Sequence, residues 1–147
     1  IRKKGRNMKE KTLAIIKPDA IQKNLVGKII DRILLSGLKI IGLKMIQPTE
    51  SEIREFYGEH KGQPYYEPLI KFMMTTPIIV IVLEGENAIK KWRQMMGKTN
   101  SPDAQVGTIR NEWGTNNRLN CVHGSDSEKS AEREIKFFFK EKNGFYE

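Results

Sequence analysis

Hydrophobic positions along the chain fall into two rhythms. Ile78 to Leu83 is the longest apolar run. It reads as a buried strand and is far too short to span a bilayer. Residues 11–16 read as another strand, ended by Lys17-Pro18-Asp19, and residues 38–47 alternate in part and read as a third. Between those two, residues 26–36 carry apolar side chains at helical spacing, with Gly37 placed to stop the helix. Pro48-Thr49-Glu50-Ser51 opens a short helix around E-I-R-E-F-Y, another follows near residues 67–74, and residues 87–96 form one closed by Gly97. Lys98 to about Arg118 shows neither rhythm and reads as a loop longer than compact domains usually carry without a purpose. A short strand near 119–122 then leads into a turn holding His123 and a last helix over about 127–139.

The order of strands and helices is a split β-α-β arrangement. It predicts an α+β sandwich of ferredoxin-like type, a four-stranded antiparallel sheet covered by helices. Residues 1–7 are read as a native extension or an expression remnant, and residues 8–147 as a single domain. Hydrophobic content of 38% and charged content of 30% fit a soluble globular protein. The lone cysteine, Cys121, permits no intrachain disulfide, which fits a reducing, cytoplasmic setting. With no other Cys/His cluster beside Cys121 and His123, it reads as a buried thiol rather than a metal ligand. The net charge of +8 favours polyanionic partners, whether nucleotides, nucleic acids or acidic surfaces.

The segment N-C-V-H-G-S-D, from Asn120 to Asp126, concentrates the chemistry. The last helix has its apolar stripe at Ala131, Ile135, Phe138 and Phe139, which puts Glu134 on or beside the inward face, where a carboxylate needs a partner. His123 lies just ahead of that helix, within reach of Glu134. Ser125 and Glu128 have capping-box spacing, and Asp126 is another candidate cap. A helix N-terminus attracts phosphate, a carboxylate on one ring nitrogen orients the other for attack, and Gly124 is read as letting a bulky group approach the backbone. A lone turn histidine is more often a satisfied polar group, and the inward glutamate weighs against that here. Lys17 at a strand end, Arg93 on a helix and Arg110 in the long loop could clamp a polyphosphate, although each also has an ordinary surface reading. Tyr65 and Tyr66 could offer a base a stacking face, with core packing as the commoner role. No P-loop and no protein-kinase glycine loop is present, so phosphates would be held by side chains.

The stretch N-C-V-H-G-S-D-S-x-x-S-A-x-x-E-I, from Asn120 to Ile135, resembles the signature of nucleoside diphosphate kinases. So do T-L-A-I-I-K-P-D-A near the start and the T-N and G-T-I-R segments in the middle. The similarity runs from about Lys11 to Phe139. It implies a ping-pong transfer in which ATP or another nucleoside triphosphate gives its terminal phosphate to His123 and a nucleoside diphosphate then takes it. By the same resemblance, Glu134 supports His123, with Ser125 as a possible relay between them. Lys17, Tyr57, Arg93, Thr99, Arg110 and Asn120 surround the phosphates and sugar, and Tyr65 stacks on the base. Magnesium would be held mainly by the nucleotide phosphates, so no dedicated protein metal ligands are expected. Family members assemble as hexamers or tetramers built from dimers, and a homo-oligomer is expected, with no membrane and no need for nucleic acid.

The sequence departs from the family pattern at three places. Ser101 intervenes before Pro102, Asn117-Arg118-Leu119 replaces a familiar valine-glycine-arginine run, and the tail after Phe139 is short. Two other readings compete. A nucleotide-binding pseudoenzyme is opposed by the intact histidine and glutamate. A basic nucleic-acid-binding module is opposed by the lack of an aromatic RNP pattern on any strand.

Overall fold

The computed structural model describes residues 9–147, so the reading of residues 1–7 lies outside the described residues. Strand β1 (Glu10–Ile16) pairs antiparallel with β3 (Ile78–Gly85) on one side and β4 (Val122–Gly124) on the other. Strand β2 (Lys39–Ile46) pairs antiparallel with β3, giving the order β2-β3-β1-β4. Each crossover is therefore split by a strand: β3 lies between β1 and β2, and β1 lies between β3 and β4. This is the ferredoxin-like sheet that the element order predicted.

The apolar runs explain why both sheet faces are covered. Successive strand side chains point to opposite faces. Ala14, Ile16, Ile79, Ile81 and Leu83 pack against α1 (Pro18–Gln22), α2 (Val26–Leu35), α5 (Ala88–Met96) and α6 (Ile109–Trp113). Their neighbours Leu13, Ile15, Ile78, Val80 and Val82 pack against α3 (Glu50–Phe56), α4 (Tyr66–Met73) and α7 (Glu128–Phe138). Tyr66 belongs to this second core and donates its hydroxyl to Arg54 O, so it is not a stacking face. Cys121 is fully buried, as expected.

Several local expectations are corrected. The stretch from Lys98 to Arg118 is not irregular throughout. A 3-10 turn covers Ser101–Asp103, and Thr108 caps α6 by accepting from Asn111 N at 3.2 Å. Arg110 therefore sits on a helix. The last strand of the sheet begins at Val122, not residue 119. Cys121 adopts a left-handed backbone (φ 73°) and gives its N–H to Asp19 Oδ2 at 3.0 Å, so pairing starts only beyond it. His123 is thus on the strand rather than in a turn, opposite Ile15. The cap of α7 is Ser127, which accepts from Ser130 N at 3.1 Å. Ser125 cannot serve because its hydroxyl is engaged elsewhere. Helix α1 and a terminal hairpin of β5 (Glu141–Lys142) and β6 (Phe145–Tyr146) were not foreseen.

Gly124 lines the cavity and also has a purpose that was not foreseen. A Cβ there would lie 2.5 Å from Trp92 Cδ1 and 2.7 Å from Met96 Cε, so the missing side chain makes room for α5 on the far side of the sheet. Trp92 Nε1 in turn donates to His123 O at 3.1 Å. Gly124→Ala is expected to cost about 1–3 kcal/mol through overpacking. Denaturant melting checks this, and an unchanged midpoint would show that α5 yields freely.

Candidate active site

Strand β4 borders a cavity of about 410 Å³. His123 lies on its wall because its strand position faces the α3/α7 layer, as does its partner Ile15. The imidazole is fixed on three sides. Phe56 meets it edge-on with ring centroids 5.4 Å apart, Tyr57 does so at 6.3 Å, and Nε2 lies 2.9 Å from Glu134 Oε1.

Glu134 is only 6% exposed, as its inward position on α7 demands. Ser125 Oγ donates to the same Oε1 at 2.8 Å and accepts from Leu13 N at 3.3 Å. Burial alone would push the Glu134 carboxyl up. The bonds from His123 and Ser125 outweigh it and hold the group below its ordinary value. A carboxylate only accepts, so the imidazole donates from Nε2, and Nδ1 is the ring nitrogen that Glu134 does not engage. Ser125 itself does not line the cavity; it braces Glu134 from behind.

The opposite wall is basic and comes from three distant segments. Lys17 caps α1, where Pro18 fixes the first helical residue, and it is 5% exposed. Its Nζ donates to Asn120 Oδ1 at 2.7 Å and to Arg118 O at 2.8 Å. Burial, reinforced by the nearby Arg110 charge, lowers the Lys17 ammonium to about 7. Asn120 also donates to Thr99 O at 3.0 Å and Asn117 O at 3.3 Å, which ties the loop ends together. Arg110 donates to Val122 O at 2.7 Å, Gly97 O at 2.9 Å and Asn120 O at 3.3 Å. Burial, with the Arg93 charge second, lowers its guanidinium to about 10. Burial likewise raises the Tyr57 phenol, so it stays a neutral hydroxyl at physiological pH.

All of Lys17, Tyr57, Tyr65, Arg93, Thr99, Arg110, Asn120, His123 and Glu134 line this one cavity. Arg93 and Thr99 are exposed at its edge, and Tyr65 is 44% exposed with its hydroxyl 2.7 Å from His60 Nδ1. Sequence reasoning missed Phe56, which sets the imidazole plane, and His60, which steadies Tyr65. The pattern F-Y-x-x-H-x-x-x-x-Y, from Phe56 to Tyr65, was the available signal. A second open cleft, sharing Arg93 and Asp126 with this cavity, runs along α5 past Lys90 and Lys98.

A family model for nucleoside diphosphate kinases matches residues 10–143. A nucleoside diphosphate kinase of Haemophilus ducreyi is 50% identical over 132 residues, covering 90% of this chain and 96% of the relative. One from Actinobacillus pleuropneumoniae is 48% identical with the same coverage. Among solved structures, the Aquifex aeolicus nucleoside diphosphate kinase superposes with a TM-score of 0.87 at 41% identity, covering 90% of this chain and 96% of its own. A Halobacterium salinarum nucleoside diphosphate kinase in complex with CDP gives 0.88 at 38% identity, covering 90% and 89%. The sheet, the basic cavity and these likenesses define a nucleotide phosphotransferase. The chain belongs to the nucleoside diphosphate kinase family.

Proposed function

We propose that this chain moves a terminal phosphate between nucleotides through a phosphohistidine on Nδ1 of His123. The observation that carries the reading is the 2.9 Å bond between Nε2 and Glu134, which leaves Nδ1 as the free ring nitrogen beside a basic cavity. In the first step the Nδ1 lone pair forms the bond to the terminal phosphorus as the bond to the bridging oxygen breaks. The leaving diphosphate carries its electron pair away. The Nε2 proton stays in place, and Glu134 stabilises the cationic ring that forms. A terminal oxygen of the second diphosphate then attacks the same phosphorus and releases the imidazole.

Arg93 and Arg110 stabilise charge on the transferring group, while Lys17, Tyr57, Thr99 and Asn120 hold phosphate and sugar oxygens. Tyr65 offers an aromatic face to the base, which every base can use. Magnesium is read as arriving on the nucleotide. The acidic groups lining the cavity are Glu59, Asp126 and Glu134, and Glu134 is already engaged with His123 and Ser125. Phosphate oxygens and water suit such a hard cation, and when bound it offsets phosphate charge. ATP and other nucleoside triphosphates serve as donors. No helix among the described residues is long and apolar enough to cross a membrane. The single cysteine, buried and free, supports a cytoplasmic protein. A homo-oligomer built from dimers, as a tetramer or hexamer, is supported by exposed Leu34 and Leu35 near the end of α2 and by Leu43 and Met45 on edge strand β2.

Initial rates over crossed concentrations of the two nucleotides test the route. A shared intermediate gives parallel reciprocal plots, whereas intersecting plots would mean direct transfer between two bound nucleotides.

Lys17 supplies a pH-dependent prediction. With its ammonium lowered to about 7, it is largely neutral in the free protein at about pH 8.5, and bound phosphate restores its charge. Nucleotide binding should therefore take up on the order of one proton there. The uptake should fade below about pH 7, where the free ammonium is already charged. Titration calorimetry in two buffers of different ionisation heat reads this directly. Lys17→Met should remove most of the buffer dependence, and equal heats for the unaltered protein would sink this reading of Lys17.

A further inference from the structure

The nucleotide cavity holds a cationic donor that the proposed mechanism does not use. Arg118 lines it beside Asn117, within the run where the sequence departs from the family pattern. Its backbone is held firmly: its N–H donates to Asn116 Oδ1 at 2.9 Å, and its carbonyl accepts from Lys17 Nζ at 2.8 Å. Its side chain is half-buried, and Nε is buried without a hydrogen-bond partner among the described residues. A buried donor left unsatisfied is costly, so the Arg118 guanidinium is not fully committed to partners within the described residues.

The cavity groups available to a base are otherwise indifferent to its identity. Tyr65 presents a ring face and Leu69 an apolar chain. Asn117 carries both a donor and an acceptor, so its amide accommodates either kind of edge. The Lys17 ammonium already holds Asn120 and the Arg118 carbonyl. A guanidinium has donors only. Guanine, uracil and thymine present carbonyl acceptors where adenine and cytosine present an amino donor. An amino group set against a guanidinium leaves two donors facing each other, and polar mismatches of this kind discriminate more strongly than differences in apolar size.

We infer that Arg118 is a specificity-determining residue that biases this kinase toward oxo bases over amino bases. The inference rests on the proposed seating of the base beside Tyr65. Broad use of nucleotides remains, because stacking serves every base, with the bias laid over it.

The test compares kcat/KM for four acceptors, GDP, ADP, UDP and CDP, with one fixed donor. The intact protein should favour GDP over ADP and UDP over CDP. Arg118→Ala should shrink both ratios, by about tenfold for the purine pair. Arg118→Lys, which keeps a donor-only head, should retain more of each ratio than Arg118→Ala. Unchanged ratios in Arg118→Ala would overturn the inference while leaving the kinase reading intact. An equal loss for all four acceptors would also overturn it, because that pattern belongs to a phosphate contact or to support of Lys17. If the intact protein transferred phosphate to none of the four, the kinase reading would fail and this inference with it.

Discussion

His123→Ala is expected to lower phosphate transfer by about four orders of magnitude or more while leaving nucleotide affinity within a few-fold. The expectation comes from how labour is divided in the cavity. The groups assigned to phosphate and sugar, Lys17, Arg93, Arg110 and Asn120, sit on other elements and are held by their own bonds to Arg118 O, Gly124 O, Val122 O and Thr99 O. None depends on the imidazole. Removing it takes away the only ring nitrogen paired with Glu134, and no other nucleophile replaces it at that place. The substitution also leaves the Glu134 carboxylate with Ser125 as its remaining close donor. A stability loss of about 1–3 kcal/mol is therefore expected beside the catalytic one. Turnover assays paired with ADP titration separate the effects. Turnover that survives in the variant would mean another group carries the phosphate. Loss of ADP binding in a variant that still folds would mean His123 holds nucleotide rather than attacking it.

Arg110→Ala is the second large effect, and it should strike both folding and activity. Arg110 is 7% exposed, and its guanidinium joins three carbonyls, those of Gly97, Asn120 and Val122. These belong to the end of α5, the turn before β4, and β4 itself. Arg110 is thus the clasp that closes the loop after α5 onto the strand bearing His123. Burial lowers its guanidinium, so part of the cost of keeping the charge is already paid in the free protein. Loss of the three bonds is expected to destabilise the fold by about 2–4 kcal/mol, since cavity water repairs only some of the vacated acceptors. Activity should fall further than occupancy explains, because Asn120 and Val122 flank Cys121 beside His123. Arg110→Lys should recover only a fraction, as one ammonium cannot reach three carbonyls in a planar fork. Denaturant melting with kcat and KM measures this. A loss below about 0.5 kcal/mol would show that the clasp is decorative.

The sheet was legible because its strands are buried on both faces. The unbroken Ile78–Leu83 run and the Leu13–Ile16 run need two apolar layers, and the helical spacings supply them. The His123–Glu134 pair was legible for a local reason: the stripe of α7 turns Glu134 inward, and strand and helix are joined by only a few residues. What could not be read was set by contacts distant in the chain. Helix α6 spans only Ile109–Trp113 and is too short for a periodic signal. The start of β4 was displaced by the left-handed Cys121, whose N–H is taken by Asp19 from the other end of the sequence. Ser125, Ser127 and Asp126 compete for one capping place; Ser125 is taken by Glu134, Asp126 accepts the Ser130 hydroxyl, and Ser127 takes the Ser130 N–H. The terminal hairpin is held by Tyr146, whose hydroxyl accepts from Lys11 at 2.8 Å. Lys17 and Arg110 reach the cavity only through the strand order, so residue type and position could name them as candidates for a phosphate clamp but could not bring them together, and the family resemblance strengthened that reading.

The central claim is that the phosphate rests on Nδ1 of His123. The most direct measurement incubates the protein with terminally labelled ATP and magnesium, without an acceptor, and locates the label chemically. The account predicts an acid-labile label on His123 Nδ1, absent from His123→Ala and discharged on adding any of several nucleoside diphosphates. A label on Nε2 or on another residue, or none at all in a protein that still binds ADP, would contradict it.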